Sequence, residues 1–188
     1  MSVKQKKRGR PDREGSRLSC EAIVTGAKEL MLKDNKKISI RALANHLDID
    51  PMAIYHYFAN KAALLEAITV SIMEDIYQPK VSDNWREEIL ALCYSYMTLL
   101  NDHPGLLETI LSMSGVEAPA EVFRSRFRLA MTVLQLDAEQ EETAIHLLVD
   151  YLHGFALALN CVADKSALKF SDLERPLNLY FHALEKEG

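Results

Sequence analysis

Three capping residues at close spacing, Ser39, Asp50 and Asn60, set the tightest limit on how this chain can fold. Each carries a side-chain oxygen that can accept from the free N–H groups at a helix start, and apolar residues at helical spacing follow each one. After Ser39 come Ile40, Leu43, Ala44 and Leu47, at i, i+3, i+4 and i+7. After Asp50 comes Pro51, whose missing N–H costs nothing at the first helical position, so a short helix is expected over about Pro51 to Tyr57. Asn60 opens a helix in which Leu64, Ile68, Ile72 and Ile76 share a face. Only the turn "DID" (48–50) separates the first two segments. A longer helix is expected before them, from about Leu18 to Lys33, with Ser16 or Ser19 as cap and Ile23, Ala27, Leu30 and Met31 inward. A long helix, a short helix, a tight turn and a second short helix make a tri-helical helix-turn-helix unit.

Within that unit Tyr55, His56, Tyr57 and Phe58 are consecutive. Ile54 and Phe58, four apart, suit the core. Consecutive residues on a helix point in widely different directions, so some of the rings Tyr55, His56 and Tyr57 face outward.

Charge is uneven along the chain. The formal net charge is −5, yet residues 1–61 carry 13 Lys/Arg against 7 Asp/Glu while residues 62–188 carry 9 against 20. A basic first third on an acidic body points to a polyanion partner for that third alone. Residues 1–17 are almost without apolar side chains and read as a flexible basic arm. Its "RGRP" (8–11) could lie in a narrow A·T-rich minor groove or serve as a solubilising tail.

Beyond Lys61 every periodicity is helical, and the low Gly and Pro content (7 and 6) suits an all-α fold. One helix carries Trp85, Ile89, Leu92 and Tyr96; another carries Phe123, Phe127, Ala130 and Met131. The stretch from about Ala138 to Ala163 has two apolar stripes. Ile145, Leu148, Leu152 and Phe155 lie on one; Leu147, Tyr151, Gly154 and Ala158 lie on the other, so this helix needs two partners, its own bundle and a second subunit. The last helix offers Leu177, Tyr180, Phe181 and Leu184 as a further candidate interface. Its start has two readings, a Ser171/Glu174 capping box or Pro176 at the first helical position. The expected division is 1–17 arm, 18–66 helix-turn-helix domain and 67–188 helical domain.

Cys20, Cys93 and Cys161 are odd in number, far apart and in no zinc spacing, and are read as reduced core thiols in a cytoplasmic protein. The basic N-terminus lacks the apolar stretch of a signal peptide. The apolar run 144–163 contains two His and one Asp, which suits a buried interface helix better than a membrane span. No GxSxG, P-loop or GxGxxG occurs, so no enzyme is implied. His146, Asp150 and His153 share a helix face and could hold zinc or another divalent ion or form a polar stripe facing solvent, pocket or dimer seam. Three ligands on one helix rarely close a metal site unaided, and no metal or cofactor is expected.

The stretch "ISIRALANHLDIDPMAIYHYFANKAALLEAI" (38–68) resembles the helix-turn-helix of the TetR family of transcriptional regulators, through "ALA..L" (42–47), Ile54-Tyr55, Phe58 and "NKAALL" (60–65). "WREEI" (85–89) and "DYLHGFALAL" (150–159) resemble the C-terminal domain of its tetracycline-repressor branch. The resemblance implies a cytoplasmic homodimer whose N-terminal domains bind a palindromic DNA operator and whose C-terminal domains bind a small-molecule effector that releases DNA. It implies phosphate contacts from Tyr55 and Lys61. The family's usual turn glycine is Asp48 here. The positions of its drug-contacting histidine and asparagine fall near Tyr77 and Leu92, so a tetracycline–magnesium ligand is not implied.

Within that resemblance the DNA-contact candidates are Arg17, Ser39, Arg41, Pro51, Met52, Ala53, Tyr55, His56, Tyr57 and Lys61. Lys28 is a further phosphate candidate. Pro51, Met52 and Ala53 offer methyl and methylene contact to thymine, His56 can bond a purine acceptor, and Arg41 suits either guanine or a phosphate. Tyr57, like Tyr55, could donate to phosphate. The ligand-pocket candidates are Tyr77, Trp85, Leu92, Tyr96, Met113, Phe127, Met131, His146, Asp150 and His153, which would otherwise be core or polar surface. The rival reading is a helical enzyme, or a small-molecule-binding or scaffold bundle, that retained the N-terminal unit.

Overall fold

In a computed structural model, residues 18–34, 39–103, 105–113, 117–162, 164 and 167–187 are described, and all their regular elements are helical. The expectations for the 1–17 arm, including Arg17, lie outside these residues. The N-terminal unit is α1 (Cys20–Asp34), α2 (Ile40–His46) and α3 (Pro51–Ile54), followed by α4 (Lys61–Met73). The caps act as the sequence requires. Ser19 Oγ accepts from Ala22 N at 3.0 Å, Ser39 Oγ from Ala42 N at 3.1 Å, Asp50 Oδ1 from Met52 N at 2.7 Å and Asn60 Oδ1 from Ala63 N at 2.9 Å.

One local feature departs from expectation. The α3 helix stops at Ile54, and residues 55–57 continue as a turn rather than as helix. Asp48 sits in the left-handed region at φ 53, the conformation for which glycine is the usual choice and which aspartate tolerates better than most residues. Between α1 and α2 the backbone of Gly26 is buried, and a Cβ there would lie 2.5 Å from Leu47 Cδ2.

The C-terminal bundle is α5 (Trp85–Asp102), α6 (Leu106–Ser112), α7 (Glu117–Met131), α8 (Ala138–Cys161) and α9 (Glu174–Glu187), with 3₁₀ turns at Thr132–Leu134 and Phe170–Leu173. Asp137 and Gln140 form a reciprocal capping box on α8, each bond 2.9 Å. Neither reading of the α9 start is realised. Asp172 accepts from Lys169 N at 2.8 Å to cap the preceding 3₁₀ turn, which runs directly into Glu174, and Pro176 lies inside the first turn.

The apolar core is continuous from Ile23 of α1 to Leu184 of α9, and it passes through α4 by way of Leu64, Ile68 and Ile72. The expected boundary at 66/67 therefore falls inside α4, which both domains share. α8 is long and apolar enough to cross a bilayer, but it packs in the bundle with Leu148, Leu152, Phe155 and Ala156 buried.

Several expectations about the bundle need correction. Leu177, Phe181 and Leu184 are buried against their own subunit, with Phe181 edge-on to Trp85 at 5.3 Å between ring centroids. Tyr180 is half-buried, its hydroxyl donating to Ala144 O at 2.9 Å. The opposite side of α9, carrying Pro176, Leu179 and Ala183, is the exposed one. Of the cysteines only Cys93 is a core thiol; Cys20 and Cys161 are exposed.

Candidate nucleic-acid interface and internal cavity

In α3 and its following turn the side chains divide as helical geometry demands. Ile54 and Phe58 are buried, while Met52 is 66 % exposed and Tyr55, His56 and Tyr57 are exposed with it. Met52, Tyr55 and His56, at i, i+3 and i+4, lie together on the outer side. Pro51 and Ala53 are half-buried beside them. Arg41 on α2 and Lys61 at the first turn of α4 are exposed, and neither they nor Tyr55 and His56 have a side-chain partner among the described residues. Ser39 uses its oxygen as a cap and keeps its O–H to donate.

Two expected phosphate donors are spent within the fold. The Tyr57 hydroxyl donates to Leu18 O at 2.8 Å, which ties the turn after α3 to the start of α1. Lys28 Nζ reaches Asp75 Oδ2 at 2.6 Å and Ser71 O at 3.1 Å, which ties α1 to α4 and the residues after it. A side chain ending in a hydroxyl or ammonium looks the same in sequence whether its target is a phosphate or an oxygen of its own chain.

A cavity of about 160 Å³ lies where α4, α5, α6, α7 and α8 converge. Met73, Ile110, Phe123, Ile145 and Val149 give it apolar walls, and Pro119 and Ala120 narrow it from α7. Its polar groups are Tyr96, His153, His146 and Arg124. The Tyr96 hydroxyl and His153 Nε2 share a 2.8 Å hydrogen bond. Burial pushes the Tyr96 pKa well up and the His153 pKa down, so both stay uncharged near neutral pH; Asp150 opposes the His153 shift. Arg124 is paired with Glu121 at 3.1 Å and is partly exposed.

The expected pocket residues therefore separate. Tyr96, His146 and His153 line the cavity. Trp85, Leu92, Phe127 and Met131 are close-packed core, and Asp150 is exposed outside the lining. Met113 is half-buried and also outside it. Tyr77 is exposed, its hydroxyl donating to Glu88 at 2.9 Å, and that same carboxylate oxygen accepts from Lys80 N. The missed lining residues are chiefly on α7 and α8. The only sequence signal for them was a pair of histidines interrupting an apolar stripe. No group of three metal-ligating side chains is assembled among the described residues.

On the outer side of α8 and α9, Leu147 is 61 % and Leu179 73 % exposed, with half-buried Tyr151 and Tyr180 between them. Gly154 and Ala158 continue this exposed stripe, and among the described residues nothing outside the surrounding helix backbone lies within 4 Å of a Cβ built on Gly154. The Tyr151 hydroxyl is buried there with no hydrogen-bond partner among the described residues.

Residues 23–68 match the family model of the bacterial regulatory proteins, tetR family. The chain is similar to that family over most of α1, all of α2 and α3 and the first two turns of α4. Its overall fold is shared with solved structures. Apo ActR from Streptomyces coelicolor superposes with a TM-score of 0.77 at 17 % identity, over 92 % of this chain and 97 % of ActR. BioQ from Mycobacterium smegmatis gives 0.74 at 21 %, over 92 % and 100 %. BioQ with its natural double-stranded DNA operator gives 0.71 at 22 %, over 90 % and 99 %. At these identities the likeness shows the fold. A search of curated proteins finds no match. The residues matched by the family model contain α2 and α3, the two short helices of the helix-turn-helix.

Proposed function

We propose that this chain is a TetR-family repressor that binds a palindromic operator as a homodimer and releases it when a small apolar or amphipathic molecule enters the cavity between α4 and α8. The observation that carries this reading is the span of α4. Lys61, an exposed cation beside the outward face of α3, is its first residue, and Met73, in the cavity wall, is its last. At 1.5 Å per residue the two ends are about 18 Å apart on one rigid element. A ligand that displaces Met73 therefore acts on the element that positions Lys61.

On DNA, Arg41, Ser39, Tyr55 and Lys61 supply phosphate contacts, which dominate affinity without reading sequence. Met52, with Pro51 and Ala53, gives apolar contact to thymine methyl groups, and His56 adds one hydrogen bond. Base readout is accordingly modest. The subunits meet through Leu147, Tyr151, Gly154 and Ala158 of α8 and Leu179 of α9, which sets two recognition helices for two half-sites. BioQ bound to its operator and ActR bound to actinorhodin support both halves of the proposal by analogy of fold.

Selection of bound duplexes from a random pool by the full chain, followed by sequencing, tests the proposal. An inverted repeat is expected, protected on both half-sites. Recovery of no duplex above background, even at low salt, would leave the bundle without this role.

A further inference from the structure

We propose that the cavity takes a small, uncharged, single-ring molecule carrying one hydroxyl group, a phenol or a comparable alcohol, held by the Tyr96–His153 pair. This rests on the reading of the cavity as the effector site and goes on to name the chemistry of the effector.

Size sets the first limit. At about 160 Å³ the cavity matches apolar cavities of about 150 Å³ that hold a benzene ring. A single ring fills that volume, and a fused-ring drug or a long acyl chain would extend beyond it through the open side. The walls set the second limit, since Met73, Phe123, Ile145 and Val149 offer no hydrogen bonds and reward an apolar body.

The polar pair sets the third. Tyr96 is 3 % exposed and its bond to His153 Nε2 is 2.8 Å. If the tyrosine donates, its oxygen keeps an acceptor and the histidine carries a proton on Nδ1. If the histidine donates, the tyrosine proton is free and Nδ1 is the acceptor. In either tautomer the neutral pair has one spare donor and one spare acceptor. The Tyr96 oxygen offers an acceptor in one tautomer and a donor in the other, and a ligand hydroxyl can complement it in both without introducing charge.

An anionic ligand meets the opposite situation. The cation in the lining, Arg124, is already paired with the Glu121 carboxylate at 3.1 Å. Asp150, whose charge acts on His153, adds a repulsive carboxylate nearby. A buried carboxylate or phosphate would lack a free counter-charge at the pair.

The test is calorimetric titration of the full chain near neutral pH with three matched probes, toluene, p-cresol and p-toluate. They share one ring and one methyl group and differ in bearing nothing, a hydroxyl or a carboxylate. We expect p-cresol to bind about tenfold more tightly than toluene, from one additional buried hydrogen bond, and p-toluate to bind no better than toluene. Tyr96→Phe should bring p-cresol down to the affinity of toluene, and unchanged toluene binding in that variant shows the cavity intact. Preference for p-toluate, or a p-cresol preference that survives Tyr96→Phe, would overturn the ligand class while leaving the cavity as a site. Toluene binding that persists after Ala120→Trp fills the cavity would place the probe elsewhere and overturn the inference. If none of the three probes binds, the inference fails, and the regulator reading then stands or falls on the duplex selection alone.

Discussion

The guanidinium of Arg126 on α7 donates to the carbonyl of Glu74 at 2.9 Å, just past the last residue of α4. The same side chain also donates to the carbonyls of Ile76 and, at 3.5 Å, Met73. Carbonyls at a helix C-terminus have no partner within the helix, and this cation gathers the carbonyl of the last residue of α4 with two from the residues just after it. Phe123 lies one turn before Arg126 on α7 and belongs to the cavity wall, as does Met73 on α4. Arg126 thus binds to each other two of the five helices that line the cavity.

Replacing Arg126 with methionine keeps much of the aliphatic volume and removes every one of these donors. Charge-assisted hydrogen bonds of this kind contribute about 1.5–3 kcal/mol, and that is the expected loss of stability. Urea denaturation should show a lower midpoint with an unchanged slope.

Leu147 and Leu179 are exposed in the single chain, whereas Leu177 is buried. Leu147→Glu combined with Leu179→Glu should leave the helical circular dichroism intact and weaken self-association by about a hundredfold or more, roughly 2.8 kcal/mol, by sedimentation equilibrium. Leu177→Ala should instead destabilise each subunit by about 2–5 kcal/mol, because it opens a core cavity.

Burial lowers the pKa of His103 and of His153 below the usual 6.5. The unfolded chain therefore takes up these protons at a higher pH than the folded one. Their contribution to stability is present above about 6.5 and is lost as pH falls from there to the lowered folded values. Denaturation midpoints measured from pH 7.5 down to 5 should fall, and His103→Gln with His153→Gln should flatten that slope. The surroundings moderate it: Asp102 and Asp75 favour protonation of His103, Lys28 opposes it, and Asp150 favours protonation of His153.

Arg41 is exposed on α2 with no side-chain partner among the described residues, and in the proposed function it contacts DNA. Arg41→Ala should weaken operator binding by about 1–3 kcal/mol. A relaxed preference at one operator position, in anisotropy titrations of single-base variants, identifies a guanine contact; equal loss across all variants identifies a phosphate contact.

The N-terminal unit was legible because its signals are local. Ser39, Asp50 and Asn60 act within three residues of themselves, and Ile54 and Phe58 declare their face by spacing alone. The end of α3 was not legible, since the residues after Ile54 have no breaker among them and the turn is held by contacts such as Tyr57 to Leu18. In the bundle, periodicity revealed stripes but not their partners. Leu177, Phe181 and Leu184 form a stripe that could equally have faced a second subunit, and only the packing of Phe181 on Trp85 assigns it to the core. Phe127 and Phe123 look alike in sequence; one is close-packed and the other borders empty space, a difference that depends on five helices at once.

The most direct measurement of the central claim, that the outward face of α3 and the head of α4 bind the DNA backbone, is a salt titration of affinity for a selected duplex. The account predicts a linear fall of log K with log salt concentration, and a slope reduced by about one unit in Lys61→Ala, with Tyr55→Phe weakening affinity at every salt concentration. A Lys61→Ala variant with the wild-type slope and affinity, or a wild-type chain that fails to bind duplex DNA at about 50 mM salt, would contradict it.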